Sequence, residues 1–424
     1  MVQDVVVVED VVVVEDVVVP EDEGLVEDEL LVKAGRGRGS RHGRLRDTSP
    51  WSSNVSPVVV QPFNRPVGPA VALSACILEV FKLFFTPALV DLTVEQTNLY
   101  ASQVMSDNQY AKWVDVNEEE IWAYMGFMIL MGINHLPALS DYWKMDSTYR
   151  YSPVAERITR DRFFEITRYF HFVDNTTLIS RGEPGYDKLG KVRPVIDILS
   201  EQFLRNYNPH RENSVDVAMI KFKGRSSMKQ YLTKKPVKRG FKVWVRADAV
   251  TGYVCEFEVY TGKSDGQPEL GLRGNVVKKS TRNITGHNYT VYCDNFFTNA
   301  ALFRDLLSDG VYACGTYNST RKCYPGDLKG KAKKGLGTRG STEYSQDGQL
   351  LVTLWQDTKT VSVLSTNCQP HSEVTISRRQ KTGTRVDVPC PEAVRVYNRF
   401  MAGVDKNDQL RGYYQARMKS TKTI

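Results

Sequence analysis

Seven cysteines occur in 424 residues, yet no two of them form a Cys-x-x-Cys pair. Cys76, Cys255, Cys293, Cys314, Cys323, Cys368 and Cys390 are scattered and odd in number. That pattern argues against a disulfide framework and against a zinc knuckle, so reduced thiols inside a cell, and no zinc, are expected. Long apolar runs are missing as well. The longest, Ile121–Ile133, is 13 residues, short of the roughly 20 that span a bilayer, and no signal-peptide pattern is visible. No membrane partner is therefore expected. Lys and Arg are absent from residues 1–32, which hold eleven acidic residues, although the whole chain carries a net charge of +7. The remainder is accordingly strongly basic. Such an excess suits a polyanionic partner, most simply nucleic acid, although it would also serve plain solubility.

What is there begins with a low-complexity front. Val5–Asp10, Val11–Asp16 and Val17–Asp22 repeat a six-residue Val-Glu-Asp unit, broken by Pro20, and disorder or weak association is expected of it. Gly35–Arg44 is an Arg/Gly segment that cannot build a core. It could contact phosphates, serve nuclear import, or be a solvated linker. These two stretches make up most of an expected disordered region over 1–69. Helical patterning follows over 70–210. Asn117 and the acids Glu118–Glu120 open a helix whose apolar residues nearly surround it, which predicts a central buried helix. A second helix, about 159–173, would bury Phe163, Ile166, Phe170 and Val173 and leave Arg160, Arg162 and Arg168 outside.

From about Ser214 the period becomes strand-like. Runs at 214–220, 241–249, 254–260, 289–294 and 311–317 read as strands. A helix of about 296–309, with Thr298 as cap and Gly310 as stop, separates the last two. The pattern predicts an α/β fold with a mixed sheet, three antiparallel strands and then parallel ones. Residues 318–390 read as an insertion that begins with a Lys/Gly-rich loop, Lys329–Lys334, and continues in short strands. A helical segment resumes at about Pro391 and carries Asp405 and Asp408 near its far end.

Three acidic positions stand out: Asp216 inside the first strand, Asp294 where the fourth stops, and Asp405 on the late helix. An Asp at a strand end is often only a cap or turn residue. Paired carboxylates on adjacent strands, completed by a helix, could instead hold the two divalent cations that phosphoryl transfer on DNA requires. Oxygen-only donors select hard ions, Mg²⁺ or Mn²⁺, and no small-molecule cofactor is expected. The three-residue spacing of Asp405 and Asp408 places both on one helical face, so either could be a ligand. Beside Asp216 runs a stretch with no acid at all: Lys221, Lys223, Arg225, Lys229, Lys234, Lys235, Lys238, Arg239 and Lys242, interleaved with Phe222, Tyr231, Phe241 and Trp244. A positive, partly aromatic surface next to a metal site suits a phosphate backbone.

The stretch Ser214–Pro236, with Cys293-Asp294-Asn-Phe-Phe-Thr298 and Gly403-Val-Asp405-Lys-Asn-Asp408-Gln409, resembles the piggyBac transposases and their domesticated derivatives over about 75–424. The resemblance implies a ribonuclease H-like mixed sheet core with a β-rich insertion domain, preceded by a mainly helical domain. It divides the chain into a DNA-binding and dimerisation region (70–210), a core (211–317), an insertion domain (318–390) and a final core helix (391–424). It also implies that Asp216, Asp294 and Asp405 are catalytic metal ligands with Asp408 an accessory acid. The partners implied are double-stranded DNA and a second copy of the chain, and the compartment is the nucleus. The chemistry implied is nicking at transposon ends, attack by the freed 3′-hydroxyl and integration at TTAA. Two departures are visible: Val217 stands where an acid usually follows the first Asp, and the Cys-rich C-terminal domain is expected to be absent. A truncated or domesticated protein that binds DNA or chromatin without cutting is the alternative, and an ordinary ribonuclease H-like nuclease a third.

Overall fold

The computed structural model describes residues 50–105, 113–146, 148–262, 272–380 and 382–414. The Val-Glu-Asp repeat and the Arg/Gly segment lie outside the described residues.

The first part is helical: α1 (Ile77–Lys82), α2 (Pro87–Met105), α3 (Glu118–Ile133), α4 (Ser152–Ala155), α5 (Arg160–Tyr169) and α6 (Arg193–Asn206). Two short strands, β1 (Gly68–Pro69) and β2 (Tyr207–Asn208), pair across its ends. Helix α3 starts where the sequence places it, because the Asn117 side chain accepts the Glu120 N–H at 2.9 Å and satisfies a donor that the first turn leaves free. Its core face, Ile121, Tyr124, Phe127 and Met131, packs with Phe163 and Ile166 of α5. The helix is not buried all round, however: Ile129 and Ile133 are exposed. Helix α5 is shorter than the pattern predicts, ending at Tyr169 before Phe170 and Val173. Arg162 is also not on a wet face. Its guanidinium makes two hydrogen bonds to Glu120, both 2.9 Å, and one to Glu165 at 3.0 Å, tying α5 to α3.

A nine-stranded mixed sheet follows. Its strands are β3 (Glu212–Lys221), β4 (Lys229–Tyr231), β5 (Arg239–Asp248), β6 (Val254–Val259), β7 (Thr290–Cys293), β8 (Tyr312–Thr316), β9 (Thr342–Asp347), β10 (Leu350–Gln356) and β11 (Thr360–Ser365), in the order β4-β5-β3-β7-β8-β11-β10-β9 with β6 also on β5. Strands β5 and β6 are antiparallel to their neighbours, and β3, β7 and β8 run parallel, which is the mixture the sequence predicts. Within 318–390, β9–β11 are hydrogen-bonded onto β8 and prolong this sheet, while β12 (Glu373–Arg379) and β13 (Arg385–Pro391) form a separate hairpin. The Lys/Gly-rich stretch is not a loop. It folds as α9 (Gly326–Lys334), because buried Leu328 anchors it on the core and lysines propagate a helix readily.

Helices cover both faces of the sheet. On one face α7 (Leu272–Thr281) and α8 (Ala300–Ser308) bury Val277, Leu302, Phe303 and Leu306 against Val215, Val217, Val291 and Cys293. Helix α8 is capped by Asn299, whose side chain accepts the Leu302 N–H, and not by Thr298. Gly310 ends that segment as expected, with φ of 69°. On the other face lie α10 (Glu392–Phe400) and α11 (Gly403–Tyr413): Val394 packs in the cluster of Tyr292 and Trp355, and Val404 in that of Ala218, Val243 and Val245.

Candidate active site

Side chains alternate along a strand, so each residue of β3 commits to one face. Val215 and Val217 go into the apolar core. Asp216, between them, points to the face that α11 covers. The register β3–β7 pairs Val215 with Cys293, and Asp294 is the next residue, so parallel neighbours set Asp216 and Asp294 side by side, about one strand spacing of ~5 Å apart. The chain turns at once after Asp294. Its backbone carbonyl accepts the Thr298 hydroxyl at 2.8 Å and the Thr298 N–H at 3.1 Å, and its carboxylate accepts the Phe296 N–H at 3.0 Å. Gly315 on β8 leaves room for that turn, since a Cβ there would lie 2.2 Å from the Thr298 hydroxyl oxygen and 2.6 Å from the Cys293 carbonyl.

Asp405 arrives from α11, in its first turn and not at the far end of a single long helix as the sequence pattern suggests. The helix approaches the sheet closely because residue 403 is glycine. A Cβ on Gly403 would sit 2.4 Å from the Ser214 hydroxyl oxygen and 2.9 Å from the Ala249 Cα. Farther along, Lys406 donates to the Val250 carbonyl at 2.7 Å and Arg411 to the Met219 carbonyl at 3.0 Å. These contacts clamp α11 to the β5–β6 turn at one end and to β3 at the other. The turn is itself fixed by Asp248, fully buried, which accepts the backbone N–H groups of His210, Val250 and Thr251 and lies 2.8 Å from His210 Nδ1.

Lys235 ties the carboxylates together. Its ammonium lies 2.7 Å from Asp216, and Asp405 and Asp294 are near enough to act on it. Burial works against its charge, but these three anions outweigh burial and make it hold its proton more firmly than an ordinary lysine. Asp294 is pushed up to about 6, first by burial and then by Asp216, against the pull of the Phe296 N–H and Lys235. Asp405 is raised by loss of hydration, with Asp216 and Asp408 adding to it and Lys235 opposing. Asp408 is raised chiefly by desolvation, and its salt bridge to Arg411 at 2.7 Å restrains the rise. Mutual perturbation of this kind is the electrostatic mark of acids that share one small volume. Among the described residues, no three His, Cys, Asp or Glu side chains are gathered tightly enough to form a ready-made metal cage. The donors are nevertheless all carboxylate oxygens, and such a set fits a hard divalent cation and not a thiol-seeking one.

The basic stretch divides by what its members touch. Lys221, Lys223, Arg225, Lys234, Lys238 and Arg239 are exposed. Lys229 is half-buried and donates to the Gly224 carbonyl at 2.7 Å, and Lys242 lies over the rings of Trp244, Tyr260 and Phe296 at 5.2–5.3 Å. Lys235 turns inward to Asp216. The sequence reading missed that contact, which only the register of β4, β5 and β3 reveals. It also missed Gly403, the Asp248 turn, and a second basic hollow of about 530 Å³ where Arg181 and Lys188 join Arg225 and Lys229.

The family model described as Transposase IS4 matches residues 77–424. The human PiggyBac transposable element-derived protein 3 is 30% identical over 355 residues, 81% of this chain. The human PiggyBac transposable element-derived protein 2 is 28% identical over 354 residues, again 81% of the chain. The chain spans only 57% of the length of either relative. A cryo-EM structure of the piggyBac transposase synaptic complex with hairpin DNA superposes with a TM-score of 0.71 at 24% identity, covering 84% of this chain and 73% of that one, which establishes a shared fold. The chain thus belongs to the Transposase IS4 family, and the human relatives it is similar to are piggyBac transposable element-derived proteins.

Proposed function

We propose that this chain binds double-stranded DNA in the nucleus as a homodimer, nicks it at transposon ends with Mg²⁺ or Mn²⁺, and joins the freed 3′-hydroxyl to TTAA targets. The observation that carries this reading is the convergence of Asp216, Asp294 and Asp405 where β7 stops beside the middle of β3, next to a hairpin of exposed cations. Asp216, Asp294 and Asp405 would hold the ions, with Asp408 behind them on Arg411. A bound divalent cation would activate the attacking oxygen and stabilise the leaving one. The protein's own part is placement. Strands β3 and β7 fix two carboxylates relative to one another, Gly403 lets the third approach, and Lys221, Lys223, Arg225, Lys234, Lys238 and Arg239 hold the DNA backbone next to them. Lys229 on β4 adds its charge beside them, and Lys242 on β5 lies over three aromatic rings that steady its position. The piggyBac transposase with the same fold is seen in a complex with DNA, which supports the partner.

One observation favours a second reading. The Lys235 ammonium already balances Asp216, so the cluster could be a structural ion-pair network in a protein that binds DNA or chromatin without cutting it. Nicking separates the two. Supercoiled plasmid carrying the inverted repeats that flank the gene is incubated with protein and Mg²⁺. The first reading expects nicks that vanish with EDTA and with Asp294→Ala while DNA binding is retained. Binding without nicks, by wild type and variant alike, supports the second.

A further inference from the structure

The β4–β5 hairpin carries one feature that charge does not explain. Its register sets Tyr231 opposite Arg239, and the Arg239 guanidinium lies over the Tyr231 ring, 5.1 Å from its centroid. An aromatic ring backed by a guanidinium is held in orientation by cation–π attraction. Tyr231 nevertheless remains 57% exposed. Two other aromatic rings beside it, Phe222 just after β3 and Phe241 on β5, stack on each other with centroids 4.7 Å apart. Tyr231 lines a groove of about 650 Å³ together with Lys221, Lys223, Lys229 and Lys238. The backbone bond from Leu232 N–H to the Lys238 carbonyl, 2.9 Å, closes the loop whose Lys235 touches Asp216. The exposed ring is therefore four residues from the side chain that reaches the carboxylates.

The chemistry selects the ligand. A fixed, solvent-facing ring offers its face to another π system, and ammonium groups on either side offer themselves to phosphates, which together describe a nucleotide. Inside a duplex both faces of a base are already covered by its neighbours. Such a ring gains contact only with a base that has left the stack. We propose that Tyr231, backed by Arg239, is a stacking platform for one unpaired base of the strand processed at Asp216, Asp294 and Asp405. This rests on the DNA-cutting reading above and adds to it a means of holding that strand away from its complement.

The test compares two probes with the full chain: a blunt duplex, and the same duplex with a short single-stranded extension containing 2-aminopurine. Wild type should bind the extended probe more tightly and quench its fluorescence. Tyr231→Ala should lose about tenfold in affinity for the extended probe, as expected for one stacked base, together with the quenching. Its affinity for the blunt duplex should change by less than about twofold, because the phosphate contacts remain. Tyr231→Trp should keep both properties, which excludes a folding defect at the position. If Tyr231→Ala matches wild type on both probes, or weakens both equally, the platform is overturned while DNA binding stands. If wild type binds neither probe, the DNA reading falls and the platform with it.

Discussion

Asp248 shows how a single residue, remote from any chemistry, can govern the site. Burial alone would raise its carboxyl, but hydrogen bonds from the His210 backbone and ring and from the Thr251 and Val250 N–H groups outweigh burial and hold it below the usual range. Its folded value is depressed relative to the unfolded one. The stability it contributes is therefore present above the unfolded value of about 4 and is lost as pH falls through the folded value. Asp248→Asn would turn an amide toward N–H donors and should cost about 1–3 kcal/mol at pH 7. The gap in thermal stability between variant and wild type should narrow below about pH 4, measured as Tm against pH. A gap independent of pH would mean that the carboxylate charge is not what holds the turn. Asp294 is a different case. Its carboxyl is destabilised in place, so Asp294→Ala should abolish strand cleavage, by roughly a thousandfold or more, without lowering Tm. Loss of fold in that variant would make the residue structural.

At the scale of elements, Gly403 decides whether the third carboxylate reaches the other two. Gly403→Ala places a methyl 2.4 Å from the Ser214 oxygen and 2.9 Å from the Ala249 Cα. The backbone cannot yield there, so α11 must lift. The expected result is a destabilisation of about 1–3 kcal/mol by thermal or urea unfolding, together with loss of cleavage and retained DNA binding. Full activity in that variant would show that the helix need not pack so closely. Sequence made the strands legible because their period and β-branched content are local properties, and so Asp216 and Asp294 could be located from it. It also gave the cap at Asn117, a motif only four residues long. It did not give α9, where lysines and glycines look like loop until Leu328 finds the core. It placed Asp405 on a helix but could not show the break between α10 and α11 that puts this acid at a helix start. The inward turn of Lys235 was illegible for the same reason, since a lysine among eight other basic residues is told apart only by the register of β4, β5 and β3.

For the whole molecule, the relevant property is the uneven placement of charge. Six exposed cations, Lys221, Lys223, Arg225, Lys234, Lys238 and Arg239, crowd one acid-free stretch beside the carboxylates, and α9 carries a further exposed group in Lys329, Lys331, Lys333 and Lys334, so DNA affinity should fall steeply with salt. Each phosphate contact adds about 0.9 to the slope of log K against log salt. Replacing Lys221, Lys223 and Arg225 together by Ala should flatten that slope by about 2–3 and weaken binding to all sequences alike. An unchanged slope would place the DNA elsewhere on the protein. The same layout explains why the acids tolerate one another: Lys235 sits among them, 2.7 Å from Asp216, and α11 is clamped above.

The most direct measurement is excision of a reporter from a plasmid in cells, with the insert flanked by the inverted repeats that border this gene, for wild type, Asp216→Asn, Asp294→Ala and Asp405→Asn at equal expression. The account predicts excision by wild type and by none of the three variants. Excision that survives the loss of any one of these carboxylates, or its absence with a wild-type protein that is folded and bound to those repeats, would contradict the claim that two strands and one helix build a cutting site here.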